Sequence, residues 1–168
     1  MRGSEGPERK CLGVMMIEFP VLDPLTSAIM KRLIQLAALQ PQGWTLVGAQ
    51  MVALHAHEQG RRPPRGTTDA DVLVNVRAIQ DATERFSNLL MEHQFWLDGV
   101  SPEGIGHRFT DGTVRIDILA PDGLDRRRAK LTTVPPVRTL SVPGGTQALR
   151  RSQLIDVQLG ELTGCIPR

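Results

Sequence analysis

Two runs in the sequence alternate with the two-residue period of a β-strand, and each carries charge on one side only. In "DADVLVN", residues 69–75, Ala70, Val72 and Val74 face one way, while Asp69, Asp71, Leu73 and Asn75 face the other. In "VRIDILAP", residues 114–121, Val114, Ile116 and Ile118 share one face, and Arg115, Asp117 and Leu119 share the other. Strands of this kind are half buried, with the β-branched side packed and the charged side turned away from the core. A sheet built from them has one apolar face. Asp117, flanked by Ile116 and Ile118, is a charge that is costly to bury without a partner.

The rest of the chain supplies helices to cover that apolar face. "VLDPLTSAIMKRLIQLAALQPQG" is a helix with its punctuation: Asp23 as N-cap, Pro24 at the first helical position, Ile29, Leu33, Leu36 and Leu39 at helical spacing, and Pro41 and Gly43 as the stop. "WTLVG" is a short strand that turns at Gly48 into a second helix, "AQMVALHAHEQG". "RAIQDATERFSNLLMEHQF", residues 77–95, predicts a third helix, with Ile79, Ala82, Phe86, Leu89, Leu90 and His93 as its stripe. "HRFTDGTVRIDILAP" predicts a hairpin around Asp111-Gly112. After a basic connector, "VRTLSV" and "LIDVQL" read as strands and "GGTQALRRSQ" as a turn and short helix. The expected class is α+β, a small mixed sheet with helices packed against it. Residues 1–20 are expected to be disordered, and residues 21–168 to form one domain.

Bulk composition narrows the function classes. With 168 residues, 40% hydrophobic and 23% charged, the chain is long enough for one packed core. A net charge of +2 does not by itself call for nucleic acid. The two cysteines stand near opposite ends without metal-ligand spacing, so neither a zinc site nor a disulfide framework is expected. No run is long and apolar enough to span a bilayer, and a cytoplasmic protein without a membrane partner is expected. His55 and His57 are two apart on a helix and do not share a face, and His107 reads as a strand-end residue near the aspartates. Trp44, Phe95 and Trp96 read as core. With aromatics at 4% and no tyrosine, a stacking platform for single-stranded nucleic acid is not expected.

Asp69, Asp71 and Asp117 admit two readings. Asp69 and Asp71 can be turn or edge residues, with Asp117 paired to Arg115 or Arg108. Alternatively the three carboxylates gather, and a hard cation such as Mg²⁺ offsets their mutual repulsion. The segment upstream favours the second. A strand that turns at Gly48 straight into a helix offers free N–H groups and a partial positive charge, a ready place for phosphate.

Gly48 after its strand, "RGTTDAD" from Arg65 to Asp71, and Asp117 in "VRIDILAP" together resemble the nucleotidyltransferase superfamily that includes DNA polymerase beta. The nearer likeness is to small bacterial nucleotidyltransferases of the abortive-infection (AbiE-type) toxin kind. The resemblance implies an enzyme that transfers a nucleoside monophosphate from a nucleoside triphosphate to a hydroxyl on RNA, a protein or a small molecule. It implies two Mg²⁺ ions held by Asp69, Asp71 and Asp117, which are also the implied catalytic residues. It implies a nucleotide site at Gly48, Ala49, Arg65 and Thr67, and, for the toxin kind, an antitoxin partner. Two departures go with it: Ala49 stands where relatives carry glycine or serine, and the chain stops where relatives continue into C-terminal helices that close the cleft. A catalytically degenerate nucleotide- or partner-binding module of the same fold is therefore the alternative expectation.

Overall fold

The structure, a computed structural model, describes residues 16–21, 23–63, 67–125 and 131–168. In chain order these form β1 (Ile17–Glu18), α1 (Pro24–Leu39), β2 (Trp44–Val47), α2 (Gly48–Glu58), β3 (Asp69–Val74), α3 (Ala82–Glu92), β4 (Trp96–Leu97), β5 (Arg108–Thr110), β6 (Arg115–Pro121), β7 (Leu140–Val142), α4 (Gly145–Arg151), β8 (Leu154–Leu159) and β9 (Leu162–Pro167). The class is α+β, as the sequence predicts.

The strands make two sheets rather than one. The larger runs β2-β3-β6-β5-β4, with β7 continuing the edge of β6 beyond β5. β3 and β6 are parallel and form its centre; β2 and β5 flank them antiparallel. The smaller sheet is β1-β8-β9. "LTGCIP", which carries no strand signal ahead of the structure, is the return arm of a hairpin with β8, turning at Gly160 and Glu161. Ile17 and Glu18, inside the segment expected to be disordered, pair in parallel with Val157 and Gln158, and Phe19 beside them is buried. Residues 1–15 of that segment lie outside the described residues. Cys165 on β9 is disulfide-bonded, which corrects the expectation of no disulfide.

Packing follows the alternation seen in the sequence. Ala70, Val72 and Val74 of β3 and Ile116 and Ile118 of β6 are fully buried, in one cluster with Phe86 and Leu90 of α3. Trp44 joins them, its ring 5.5 Å from that of Phe86. α1 begins as expected: the Asp23 carboxylate accepts from the Thr26 amide at 2.8 Å, satisfying one free N–H of the first turn. It packs on the small sheet so closely that a Cβ on Gly164 of β9 would lie 2.4 Å from Ile34. α3 starts later than the periodicity predicts. Asn75 accepts from the amide of Ala78 and diverts residues 77–81 into turns, and Asp81 then serves as N-cap residue.

On the opposite face of the large sheet, one end is covered by a helix. α4 lies over Leu73, where a Cβ on Gly145 would come within 3.2 Å of Leu73 Cδ1, and Ser152 just after it donates to Thr45 at 2.8 Å. Asp69 and Asp71 sit at the other end of β3. Because β3 and β6 run parallel, they enter the sheet from the same end, and the charged half of each strand lies beside the charged half of the other.

Candidate functional site: a carboxylate cluster at the start of two parallel strands

The register decides which side chains meet. Asp71 pairs with Asp117 across β3 and β6, Asp69 pairs with Arg115, and Arg108 of β5 pairs with Asp117 from the other side. Residues paired across a sheet carry their side chains on one side, and residues two apart on a strand do the same. Asp69, Asp71, Asp117, Arg115 and Arg108 therefore share a face.

Of the two candidate partners for Asp117, the structure selects Arg108. Its guanidinium grips the carboxylate with a fork: Nε donates to Oδ1 at 2.9 Å and Nη2 to Oδ2 at 2.8 Å. The same Nη2 lies 3.4 Å from Asp69 Oδ2. Asp117 is 5% exposed, so its end of this bidentate charge-assisted contact is held out of water, while the Arg108 side chain is partly exposed. The hydrogen bond to Asp117 holds the Arg108 guanidinium above the usual arginine range. His107 approaches from the same strand end, with Nε2 3.6 Å from Asp117 Oδ2 and a buried Nδ1 that lacks a partner among the described residues. Arg115 instead faces Asp98 at 3.9 Å.

Among the described residues, Asp71 is the carboxylate of the three without an ion-pair partner. Burial pushes its acidity down, raising the pKa above 3.8, and the neighbouring Asp117 and Asp69 charges raise it further against a smaller opposing effect of Arg108. Its Oδ2 lies where a Cβ on Gly48 would be, only 1.9 Å away. Gly48 has φ +67, a conformation that other L-residues adopt at a cost, and it opens α2 with Ala49 behind it. Val47, the N-cap residue, gives the first turn of α2 no side-chain cap. Those N–H groups and the Asp71 carboxylate thus share one exposed corner. Thr67 Oγ1 donates to Asp69 Oδ1 at 2.6 Å and fixes that carboxylate. Arg65, the expected phosphate clamp, lies outside the described residues, as does the basic connector at 126–130.

Among the described residues, no group of three or more His, Cys, Asp or Glu side chains is arranged to hold a metal ion. The local reason is Arg108, which occupies both oxygens of Asp117 and reaches Asp69. The donor set itself is that of a hard, oxygen-seeking cation. The absent Cβ at Gly48 gives the Asp71 carboxylate the room it occupies, and among the described residues that carboxylate has no ion-pair partner. In chemistry the residues fit Mg²⁺; in the described arrangement an arginine supplies part of the charge instead.

A further expectation is corrected at the edge of the large sheet. Trp96, expected in the core, is 53% exposed on the edge strand β4. Its neighbour Phe95 is buried as expected. A two-residue edge strand that follows a buried ring and begins with an exposed one has too short a pattern to reveal which is which. A separate cavity of about 990 Å³ runs along α2, lined by Gln50, Ala53, His57, Arg61 and Phe19, and touches the cluster only through Thr67.

No protein-family profile matches the sequence, and neither the curated proteins nor the solved structures contain a significant match. Among the described residues no helix is long and apolar enough to cross a membrane.

Proposed function

We propose that the chain is a Mg²⁺-dependent nucleotidyltransferase. The observation that carries this reading is the register that sets Asp71 beside Asp117, with Asp69 on the same face and Gly48 opening a helix against Asp71. Asp69, Asp71 and Asp117 would hold the metal, which when bound neutralises triphosphate charge and favours loss of the acceptor proton. The first-turn N–H groups of α2, at Gly48 and Ala49, would receive the β and γ phosphates. Backbone groups suffice for this, so Ala49 in place of serine removes one hydroxyl but not the cradle. Thr67 holds Asp69 in place. In the reaction an acceptor hydroxyl oxygen bonds to the α-phosphorus and the bond to the bridging oxygen breaks. Pyrophosphate leaves with the electron pair, and the hydroxyl proton passes through a carboxylate to water. Positioning and charge neutralisation supply most of the rate in such transfers.

The cytoplasm, which supplies nucleoside triphosphates, is the proposed compartment, and an antitoxin-type partner belongs to the same proposal. A disulfide at Cys165 is unusual there; thiol counting on protein isolated without reductant reports on it directly.

The test is incubation with each labelled nucleoside triphosphate, Mg²⁺, and either total RNA or lysate. Wild type should yield a labelled product and Asp71→Asn none. Equal labelling by both removes Asp71 from the mechanism. The Arg108 fork favours a second reading, a nucleotide-binding module that has lost turnover. Calorimetric binding of a triphosphate without any product would select it.

A further inference from the structure

The large cavity along α2 has a wall whose polar groups lack partners. Gln50, Ala53 and His57 stand at i, i+3 and i+7 of the helix, so one helical stripe faces the cavity. Gln50 is 1% exposed, yet among the described residues neither its amide nitrogen nor its amide oxygen has a hydrogen-bond partner. His57 Nε2 is buried and unpartnered as well. Burial lowers the pKa of that ring below 6.5, so the imidazole is neutral at pH 7. Phe19 backs it, with ring centroids 4.7 Å apart. Buried donors and acceptors without partners are destabilising, and a molecule that enters the cavity and supplies those partners is favoured.

The carboxamide of Gln50 dictates the form of what it lacks. Its oxygen and one of its N–H groups point the same way, so a complement must place a donor and an acceptor side by side. A trans peptide bond cannot do this, because its N–H and C=O point in opposite directions. A primary carboxamide can. It closes a ring of two parallel hydrogen bonds with Gln50, and its second N–H is left for His57 in the tautomer whose Nε2 accepts.

The rim of the cavity carries charge of both signs. Arg61 and Arg62 line it as exposed side chains, without an ion-pair partner among the described residues. Glu18 and Asp23 line it too. Asp23 gives one carboxylate oxygen to the Thr26 amide and keeps the other. A simple anion or cation would be attracted by one pair and repelled by the other, whereas a zwitterion satisfies both.

We propose that this cavity binds a free α-amino acid with a carboxamide side chain. The side-chain amide pairs with Gln50 and donates to His57. The α-carboxylate lies against Arg61 and Arg62, and the α-ammonium faces Glu18 and Asp23. This assignment is independent of the nucleotidyltransferase reading.

The test is isothermal titration of the full chain with L-glutamine and with L-asparagine, in separate arms, without metal or nucleotide. One of the two should bind saturably, and the tighter arm fixes the length of the side chain. L-Methionine, which has no amide, and propionamide, which has no charges, should each bind at least about tenfold more weakly. Gln50→Leu should weaken amino-acid binding by about 5- to 150-fold, the range for leaving a hydrogen-bonding group unpaired. Without ligand the same variant should melt no lower than wild type, since an apolar group replaces an unpartnered amide. Arg61→Gln combined with Arg62→Gln, both at exposed positions, should weaken the amino acid and leave propionamide unchanged.

Failure of wild type to bind either amino acid, equal binding by Gln50→Leu, or methionine bound as tightly as the amides overturns the assignment. Uridine, whose ring also sets a donor beside an acceptor, overturns it by binding more tightly than both amino acids, because the charged rim then plays no part.

Discussion

Replacing Arg108 with methionine tests the electrostatics of the cluster most directly. Methionine keeps much of the aliphatic stem and removes the fork. Two charge-assisted hydrogen bonds to Asp117 are lost, and a carboxylate whose side chain is 7% exposed is left facing Asp69 and Asp71. Removing one partner of a fully buried pair costs about 3–5 kcal/mol. The Arg108 side chain is 38% exposed, so water already screens part of the interaction, and about 2–3 kcal/mol is the expected loss. For a chain of this size that is a fall in Tm of about 4–12 °C. Asp117→Asn introduced into the Arg108→Met background should be nearly free, so a double-mutant cycle by chemical denaturation should return a coupling of about 2 kcal/mol. Mg²⁺ added at constant ionic strength should raise the Tm of Arg108→Met more than that of wild type, because the ligands no longer have a resident cation. Loss of less than about 0.5 kcal/mol, within the usual scatter for surface substitutions, would refute the account, as would a coupling near zero.

Three further substitutions probe Asp71, Gly48 and the start of α4. Asp71 ionises less readily in the folded protein than its ordinary value of 3.8 implies, chiefly through burial. The fold therefore loses stability as pH rises through that group's range. Asp71→Asn should remove this slope in thermal melts, and at neutral pH should melt no lower than wild type while abolishing transfer. Gly48→Ala places a methyl in a left-handed conformation, worth about 1–2 kcal/mol, and forces the Asp71 carboxylate aside. It should melt lower and lose nucleotide binding by calorimetry. Asp122, outside the cluster, is held at about 2 by the amide of Thr146, then by its hydroxyl and the amide of Gly144. Its contribution is present above 3.8 and is lost as pH falls toward 2. Over that window the Gly144 and Thr146 amides, which donate to the Asp122 carboxylate, should lose protection in hydrogen exchange, and in Asp122→Ala they should be unprotected at every pH.

Where a strand carries a clean two-residue period, the sequence reveals both its existence and its faces. β3 and β6 were legible for that reason, as was α1 through Asp23, Pro24 and the buried Ile29, Leu33 and Leu36 of its stripe; Leu39, at the helix end, is instead exposed. β4 and β9 were not. β4 has two residues and no period, and β9 reads "LTGCIP", with a glycine and a proline that ordinarily argue against a strand. Here Gly164 is required by the closeness of Ile34 on α1, a tertiary fact that local pattern does not contain. The site divides the same way. Three aspartates on strand faces could be named in advance. The choice of Arg108 over Arg115 as partner could not, because it depends on which strand flanks β6 and in what register. The exposure of Trp96 was missed for a related reason, since edge position is set by sheet order.

The parallel pairing of β3 with β6 carries a consequence for folding fidelity. Asp71 and Asp117 are 46 residues apart in the chain and adjacent in the sheet. If β6 slipped by a single residue, Asp117 would turn into the layer now filled by Phe86, Ile116 and Ile118, with no guanidinium to receive it, while two isoleucines would be stranded in water. Such a misaligned sheet is penalised twice, once for the imprisoned charge and once for the lost oil. The acid that Arg108 grips thereby also checks that the two halves of the chain have met at the right notch.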